Sequence, residues 1–388
     1  MRLLICAGGT GGGVYPALAV LQALVSESEF SSRLSKDSVL WVGGTGSMEA
    51  ELVAHAGFSF SSIPAAGVHG VGIRALPGNI LRLLRGFTTS RKIIKDFRPD
   101  VMFFTGGYIA VPMAVAGWLP MRKVPRPKSM VYVPDIEPGL ALKTLIRFAN
   151  HTTVTTEGTR KYLPRRSTVT VTGYPVRSEL KSWNKVDARQ ALGLTSDLPV
   201  LLVTGGSSGA RSINRALLSI LQQLINEMQV VHVTGKLDWP DVLKIRQVLE
   251  SSSKLDPHLV VRYHAYAYLH EEMGAAMSAA DLVVSRAGAS SLGEYPFFGL
   301  PAILIPYPHA WKYQRVNAQY LVDRGAAAMI PDEELSTRLL PAIREMLLDA
   351  DRLGKMRAAM LSLAKPDAAR DIAIVICSLA GNDSDQRM

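Results

Sequence analysis

The feature that most restricts the fold is a short unit that occurs twice. Leu3–Gly13 runs from an apolar stretch into GGTGGG and then a helical pattern, and Val200–Ala210 runs from an apolar stretch into GGSSGA and another helical pattern. A buried strand feeding a glycine-rich turn and a helix opens a nucleotide-binding α/β unit. Such a turn exposes backbone N–H groups at the positive end of the helix dipole, which suits a phosphate or pyrophosphate. Two copies in a chain of 388 residues predict two Rossmann-like domains in tandem.

The rest of the chain alternates accordingly. Short β-branched runs predict strands over Leu3–Ala7, Val39–Val42, Val101–Phe104, Met130–Val133, Thr152–Thr155 and Thr168–Thr172. After the restart they fall over Val200–Thr204, Val230–Val233, Leu259–Tyr263, Leu282–Ser285 and Ala302–Ile305. Helical patterns intervene at Pro16–Ser26, Ile80–Phe97, Ile213–Glu227 and Val242–Ser251. Apolar strands alternating with helices indicate parallel sheets covered on both faces. Gly173–Arg177 is the expected linker, dividing residues 1–173 from 174–365, with a helix at 366–380 and a polar tail at 381–388 that reads as disordered.

Several chemistries are set aside by what the turns lack. Counting from Gly9, Val14 stands where the third glycine of a dinucleotide fingerprint would fall, and Val42-Gly43-Gly44-Thr45 offers no acid for a ribose 2′-OH. No GxxxxGK[ST] occurs. Cys6 and Cys377 each sit in an apolar run and read as core residues of a protein in a reducing compartment. The longest apolar stretch, Tyr108–Met121, is broken by Pro112, Gly117 and Pro120, short of the ~18–20 residues of a membrane span.

Seven segments follow one another in an order that resembles the MurG family of N-acetylglucosaminyltransferases: GGTGGGVYPALAV, GTGSMEAELV, GGY, GYPVR, GGSSGARSIN, SRAGASSLGE and PYPHAWKYQRVNA. The resemblance runs from Met1 to about Ala380. It implies the GT-B fold, two Rossmann-like domains facing across a cleft, with the final helix returning to the first domain. It also implies transfer of N-acetylglucosamine from its UDP donor to undecaprenyl-pyrophosphoryl-muramyl-pentapeptide, with inversion and without a cofactor. Carried over to this chain, Ser207 and Arg177 would face the UDP diphosphate, and Ala289, Ser290, Ser291, Leu292 and Gly293 would touch the nucleotide. Glu294 would hold the ribose, His270 would sit by the uracil, and Gln314, with Tyr313 and Asn317, would meet the sugar. Thr10, Gly11 and Gly12 would close the cleft from the first domain. Helix N-termini and Arg177 are then expected to stabilise departing UDP without metal, the Asp349-Ala350-Asp351 and Asp383-Ser384-Asp385 strings reading as solvated surface.

One departure bears on mechanism. The family has His in the first turn where this chain has Gly13, and its His-Glu-Gln-Asn stretch is replaced here by Val133-Pro134-Asp135-Ile136-Glu137-Pro138-Gly139. An inverting transfer wants a base near the acceptor hydroxyl. Asp135, directly after a strand, is the first candidate and Glu137 the second. Loss of catalysis with retained UDP-sugar binding, a different lipid acceptor, and UDP-sugar epimerisation are the alternatives.

The net charge of +10 lies almost wholly in one segment. Residues 61–130 hold eleven Lys and Arg against Asp96 and Asp100, a net +9. Ile73, Leu76, Ile80, Leu84 and Phe87 alternate there with Arg82 and Arg85, the composition of an interfacial helix resting on anionic lipid. Taken with a polyprenyl-linked acceptor, this predicts a peripheral enzyme on the cytoplasmic face of the cell membrane. Few aromatics and no recognised motif in the segment argue against nucleic acid.

Overall fold

A computed structural model describes residues 1–8, 11–45, 48–64, 76–195, 197–206, 209–251, 256–308 and 313–381. The chain divides into two compact units, Met1–Arg177 together with the chain from Pro366 onward, and Ser178–Lys365.

The first unit is a parallel sheet of seven strands: β1 Leu3–Cys6, β2 Val39–Gly44, β3 Ser59–Ile63, β4 Val101–Phe104, β5 Lys128–Val133, β6 His151–Val154 and β7 Val169–Val171. Their order is β3-β2-β1-β4-β5-β6-β7. Successive residues of β1 face opposite layers. Leu3 and Ile5 join one core with the helices Gly11–Ser26 and Ala368–Gly381, while Leu4 and Cys6 join another with Ile94, Met113 and Leu145. Double coverage is why these strands are continuous apolar runs. Burial pushes the Cys6 thiol well above its ordinary range, as expected of a core residue.

The second unit repeats the plan with six parallel strands: β8 Val200–Thr204, β9 Gln229–Val233, β10 Tyr263–Tyr266, β11 Leu282–Ser285, β12 Ala302–Leu304 and β13 Ala327–Met329, in the order β10-β9-β8-β11-β12-β13. The helix Lys185–Ala191 is tied to the sheet through Asp281, which accepts from Lys185 (2.5 Å), Arg189 (3.0 Å) and the Val200 N–H (3.0 Å).

Three sequence expectations are corrected. The strand expected over Leu259–Tyr263 is displaced to Tyr263–Tyr266, because Pro257–Val260 forms a helical turn capped by Asp256, whose carboxylate accepts the His258 N–H at 2.9 Å. β3 and β13 were not foreseen, one being mostly Ser and Phe and the other three residues long. The division between units falls after Arg177 and not after Gly173: the Gly173 N–H still bonds the Val154 carbonyl at 3.4 Å, and the Arg177 guanidinium stacks 4.2 Å above the ring of Tyr15 in the same unit. The tail after Gly381 lies outside the described residues.

Candidate active site

In an open parallel sheet the ligand crevice opens beyond the C-terminal strand ends, where strand order reverses. In the second unit that point lies between the neighbouring strands β8 and β11. From β8 the chain enters Gly205–Ala210 and then the helix Arg211–Ile225. Gly209 has φ +78°, and a Cβ there would stand 2.3 Å from the Thr234 carbonyl oxygen, so the turn is pressed onto the end of β9 at a position open only to glycine. Ser207 lies outside the described residues.

A buried polar chain fixes this turn from below. The Asn214 Nδ2 donates to the Thr234 carbonyl and to Asp238 Oδ2, both at 2.8 Å. Its Oδ1 must therefore accept, which assigns the His232 Nε2 as donor at 2.9 Å and leaves Nδ1 to accept from the Tyr263 hydroxyl at 2.8 Å. Burial pulls the His232 imidazole down to about 3, so it is neutral and the assignment holds at physiological pH.

From β11 the chain enters a tight turn, Ala289–Leu292, and the short helix Glu294–Phe298. The Ser291 hydroxyl donates to the Gly288 carbonyl at 2.6 Å, and Ala289, Ser291, Leu292 and Gly293 are buried, which leaves Ser290 and Glu294 as the half-buried side chains of the segment. Asn317 is buried and donates to the Ala287 carbonyl at 3.2 Å, holding the helix Tyr313–Val322 to the end of β11. The Gln314 Oε1 accepts the Tyr307 N–H at 2.9 Å. His270 is exposed, with its ring edge-on to Tyr268 at 4.6 Å.

The residue that sequence reasoning missed is Arg286. Its Nη1 donates to Asp332 Oδ1 at 2.5 Å and to the Ile305 carbonyl at 3.2 Å, while Nη2 donates to the Ser212 hydroxyl at 2.8 Å. Ser212 in turn donates to Asp332 at 2.7 Å, and the Tyr307 ring lies 5.2 Å from the guanidinium. One side chain thus ties the first turn of the helix behind the glycine turn to the ends of β11 and β12. Its signal was present: an arginine immediately after a buried strand.

In the first unit the strand order reverses between β1 and β4. The buried Glu49 accepts the Gly44 N–H at 3.1 Å and lies against Gly8, where a Cβ would come within 2.4 Å of its Oε1. The helix Gly11–Ser26 starts here, with Gly12 exposed and Gly11 and Gly13 buried; Thr10 lies outside the described residues. The Thr105 hydroxyl donates to the Gly13 carbonyl at 2.7 Å. A Cβ at Gly13 would meet nothing nearer than Thr105 Oγ1 at 3.4 Å, an ordinary contact, so the position has room for a Cβ.

Past the end of β5, Asp135 and Glu137 are both half-buried. The Lys143 ammonium donates to Glu137 at 3.1 Å, and Asp135 acts electrostatically on the Tyr132 phenol. The Arg177 Nε is buried and has no hydrogen-bond partner among the described residues. Asp349, read as surface, caps the helix Ala350–Ser362 by accepting the Arg352 N–H at 2.9 Å. Among the described residues, no group of three or more His, Cys, Asp and Glu side chains is placed to hold a metal.

Residues 3–125 match the glycosyltransferase family 28 N-terminal domain, and residues 200–372 match its C-terminal domain. A relative from Roseiflexus sp. (strain RS-1) is 38% identical, the match covering 98% of this chain and 95% of that protein; it is named UDP-N-acetylglucosamine–N-acetylmuramyl-(pentapeptide) pyrophosphoryl-undecaprenol N-acetylglucosamine transferase. A protein of the same name from Desulforamulus reducens is 36% identical over 96% of this chain and 97% of its own. Among solved structures, Acinetobacter baumannii MurG superposes with a TM-score of 0.72 at 24% identity, covering 97% of this chain and 99% of that one, a likeness of fold.

Proposed function

We infer the activity from one premise: the chain belongs to the MurG family of glycosyltransferases, family 28. It transfers N-acetylglucosamine from UDP-N-acetylglucosamine to undecaprenyl-pyrophosphoryl-N-acetylmuramyl-pentapeptide in peptidoglycan synthesis. The observation that carries this is identity of 38% across 98% of the chain. The two glycine turns at the two strand-order reversals are the local structure such a reaction needs.

The donor is assigned to the second unit, at the Gly205–Ala210 turn and the segment from Ala289 to Glu294, with Gln314 toward the sugar. Backbone N–H groups of the turn support a diphosphate there. Arg177 is proposed as a further diphosphate ligand on the family pattern, its Nε having no hydrogen-bond partner among the described residues. The acceptor is assigned to the first unit. As an acceptor hydroxyl bonds to the anomeric carbon, its proton passes to the Asp135 carboxylate, the carbon–phosphate-oxygen bond breaks, and UDP leaves with that electron pair, inverting the centre. Release of UDP from UDP-N-acetylglucosamine should require the lipid-linked acceptor. Acceptor-independent release, or none with acceptor, overturns the reading and leaves a UDP-sugar-binding protein.

The same reading includes a membrane-docking face on the helix Leu76–Phe97. A helix covering only its own sheet would expose a polar face. Here Leu81 and Leu84 are 48% and 59% exposed beside the exposed Arg82 and Arg85, and Trp118 is 43% exposed with the Arg126 guanidinium 5.4 Å from its ring. Leu76 and Ile80 belong to the same helix, Ile73 lies outside the described residues, and Phe87 is half-buried against the unit's own core. No helix among the described residues is long and apolar enough to cross a membrane. Each basic residue near an anionic surface contributes ~1 kcal/mol, so Arg82→Glu/Arg85→Glu should weaken binding to phosphatidylglycerol-containing vesicles by about 30-fold or more. Unchanged, salt-insensitive binding would remove this face from the proposal.

A further inference from the structure

Beneath the Pro134–Gly139 loop lies a buried pair of hydroxyls with more acceptors around it than it has protons. The Tyr132 side chain is fully buried and Thr155 nearly so. The two oxygens are 2.8 Å apart. Tyr132 reaches the Gly173 carbonyl at 3.2 Å, and Thr155 reaches the Pro134 carbonyl at 2.8 Å and the Val133 carbonyl at 3.3 Å. Pro134 and Gly173 are themselves buried.

Each hydroxyl has one proton to donate. Burial, aided by the Asp135 charge, holds the Tyr132 phenol protonated well beyond its ordinary range, so the count stays at two. In one arrangement Tyr132 donates to Thr155, Thr155 donates to the Pro134 carbonyl, and Gly173 receives nothing from the pair. In the other, Thr155 donates to Tyr132, Tyr132 donates to the Gly173 carbonyl, and the Pro134 carbonyl is left unserved. Gly173 then keeps only the long 3.4 Å contact from the Thr172 hydroxyl in the first case. Each hydroxyl donating outward would serve both carbonyls but would leave the two oxygens 2.8 Å apart with no proton between them. While their mutual bond is kept, the two ends compete for a shared proton, and a buried carbonyl without a donor is costly.

We propose that Tyr132 and Thr155 are positioning residues that hold either the Pro134–Asp135 loop or the Gly173–Arg177 segment, one at the other's expense. Both ends carry function under the reading above, on which this inference rests for its effect on turnover: one holds the candidate base, the other leads to Arg177. The pair is specific chemistry and not mere filling, because apolar residues of the same shape would pack equally well.

The test uses the full-length protein with Tyr132→Phe, Thr155→Val and Thr155→Ser. Tyr132→Phe leaves the Thr155 proton always available to Pro134. Thr155→Val leaves the Tyr132 proton always available to Gly173. Amide hydrogen exchange, which needs no substrate, should therefore rise about five- to tenfold in residues 174–178 only for Tyr132→Phe, and in residues 135–139 only for Thr155→Val. Thr155→Ser should match the wild type. In turnover, Thr155→Val should lower kcat about tenfold with an unchanged KM for UDP-N-acetylglucosamine, and Tyr132→Phe should raise that KM with kcat held within about twofold. Exchange that rises in both segments for both variants, or in neither, overturns the inference. A wild type that never shows acceptor-dependent UDP release fails the transferase reading instead, and the exchange pattern still decides this one.

Discussion

Asp135→Asn is expected to lower acceptor-dependent UDP release by about 10²- to 10⁴-fold, the usual contribution of a positioned general base, while donor affinity stays within about twofold. The substitution is nearly isosteric and removes only the capacity to take a proton. Glu137→Gln is the internal control. Glu137 is paired with the Lys143 ammonium at 3.1 Å, and the loss there should stay under about tenfold. Gly13→His supplies the second arm. Because a Cβ at Gly13 makes only ordinary contacts, the imidazole should be accepted and should restore part of the rate in the Asp135→Asn background. Initial rates at saturating donor decide the matter, and full activity in Asp135→Asn would retire this base.

Arg286→Ala carries the largest expected cost in stability, about 3–5 kcal/mol, the range for breaking a buried ion pair from one side. The Arg286 and Asp332 side chains are 11% and 18% exposed, so the carboxylate left behind would be only partly rehydrated. Arg286→Lys should recover only part, since a single ammonium cannot replace the fork that reaches Asp332, Ser212 and the Ile305 carbonyl together. Arg286→Met/Asp332→Leu should recover most of the stability, because an apolar pair of similar volume leaves no orphaned charge. The same double variant should still bind UDP more weakly than the wild type, as the ends of β11 and β12 lose their tie to the first turn behind the glycine turn. Denaturant unfolding and calorimetric titration with UDP separate the two effects. A loss below about 1 kcal/mol for Arg286→Ala would mean the network is solvent-compensated.

The parts legible in the sequence are those written locally. Strands covered on both faces read as continuous apolar runs, which is why β1, β4, β8 and β11 lie where their composition puts them. β3 has three serines in five residues and leaves no such trace. The strand misplaced at Leu259 had β-branched composition, but Asp256 and Pro257 fixed a helical turn first. Site residues followed the same rule. The position of Asp135 past a strand end was readable as a candidate, whereas Arg286 has its partners 46 and 74 residues away. Glu49 reads as an ordinary first-turn acid, and Gly8, remote in sequence, together with Gly43 leaves room for its buried side chain. The shared proton of Tyr132 and Thr155 is likewise invisible to any pattern, since it depends on two carbonyls arriving at one place.

The helix Ala368–Gly381 has a consequence for the order in which the protein is made. Ile372, Ala373, Ile376 and Cys377 form one wall of the first unit's core, against Leu3, Ile5 and the helix Gly11–Ser26. On the ribosome, that core stays open on one side until the chain has been synthesised as far as this helix. At ~5–20 residues per second, the roughly 200 residues that follow Arg177 take about 10–40 s to translate. The second unit's segment, contiguous in sequence, is complete before then. The half of the protein that begins first therefore closes last, and its apolar face waits on a helix encoded after the whole of the second unit.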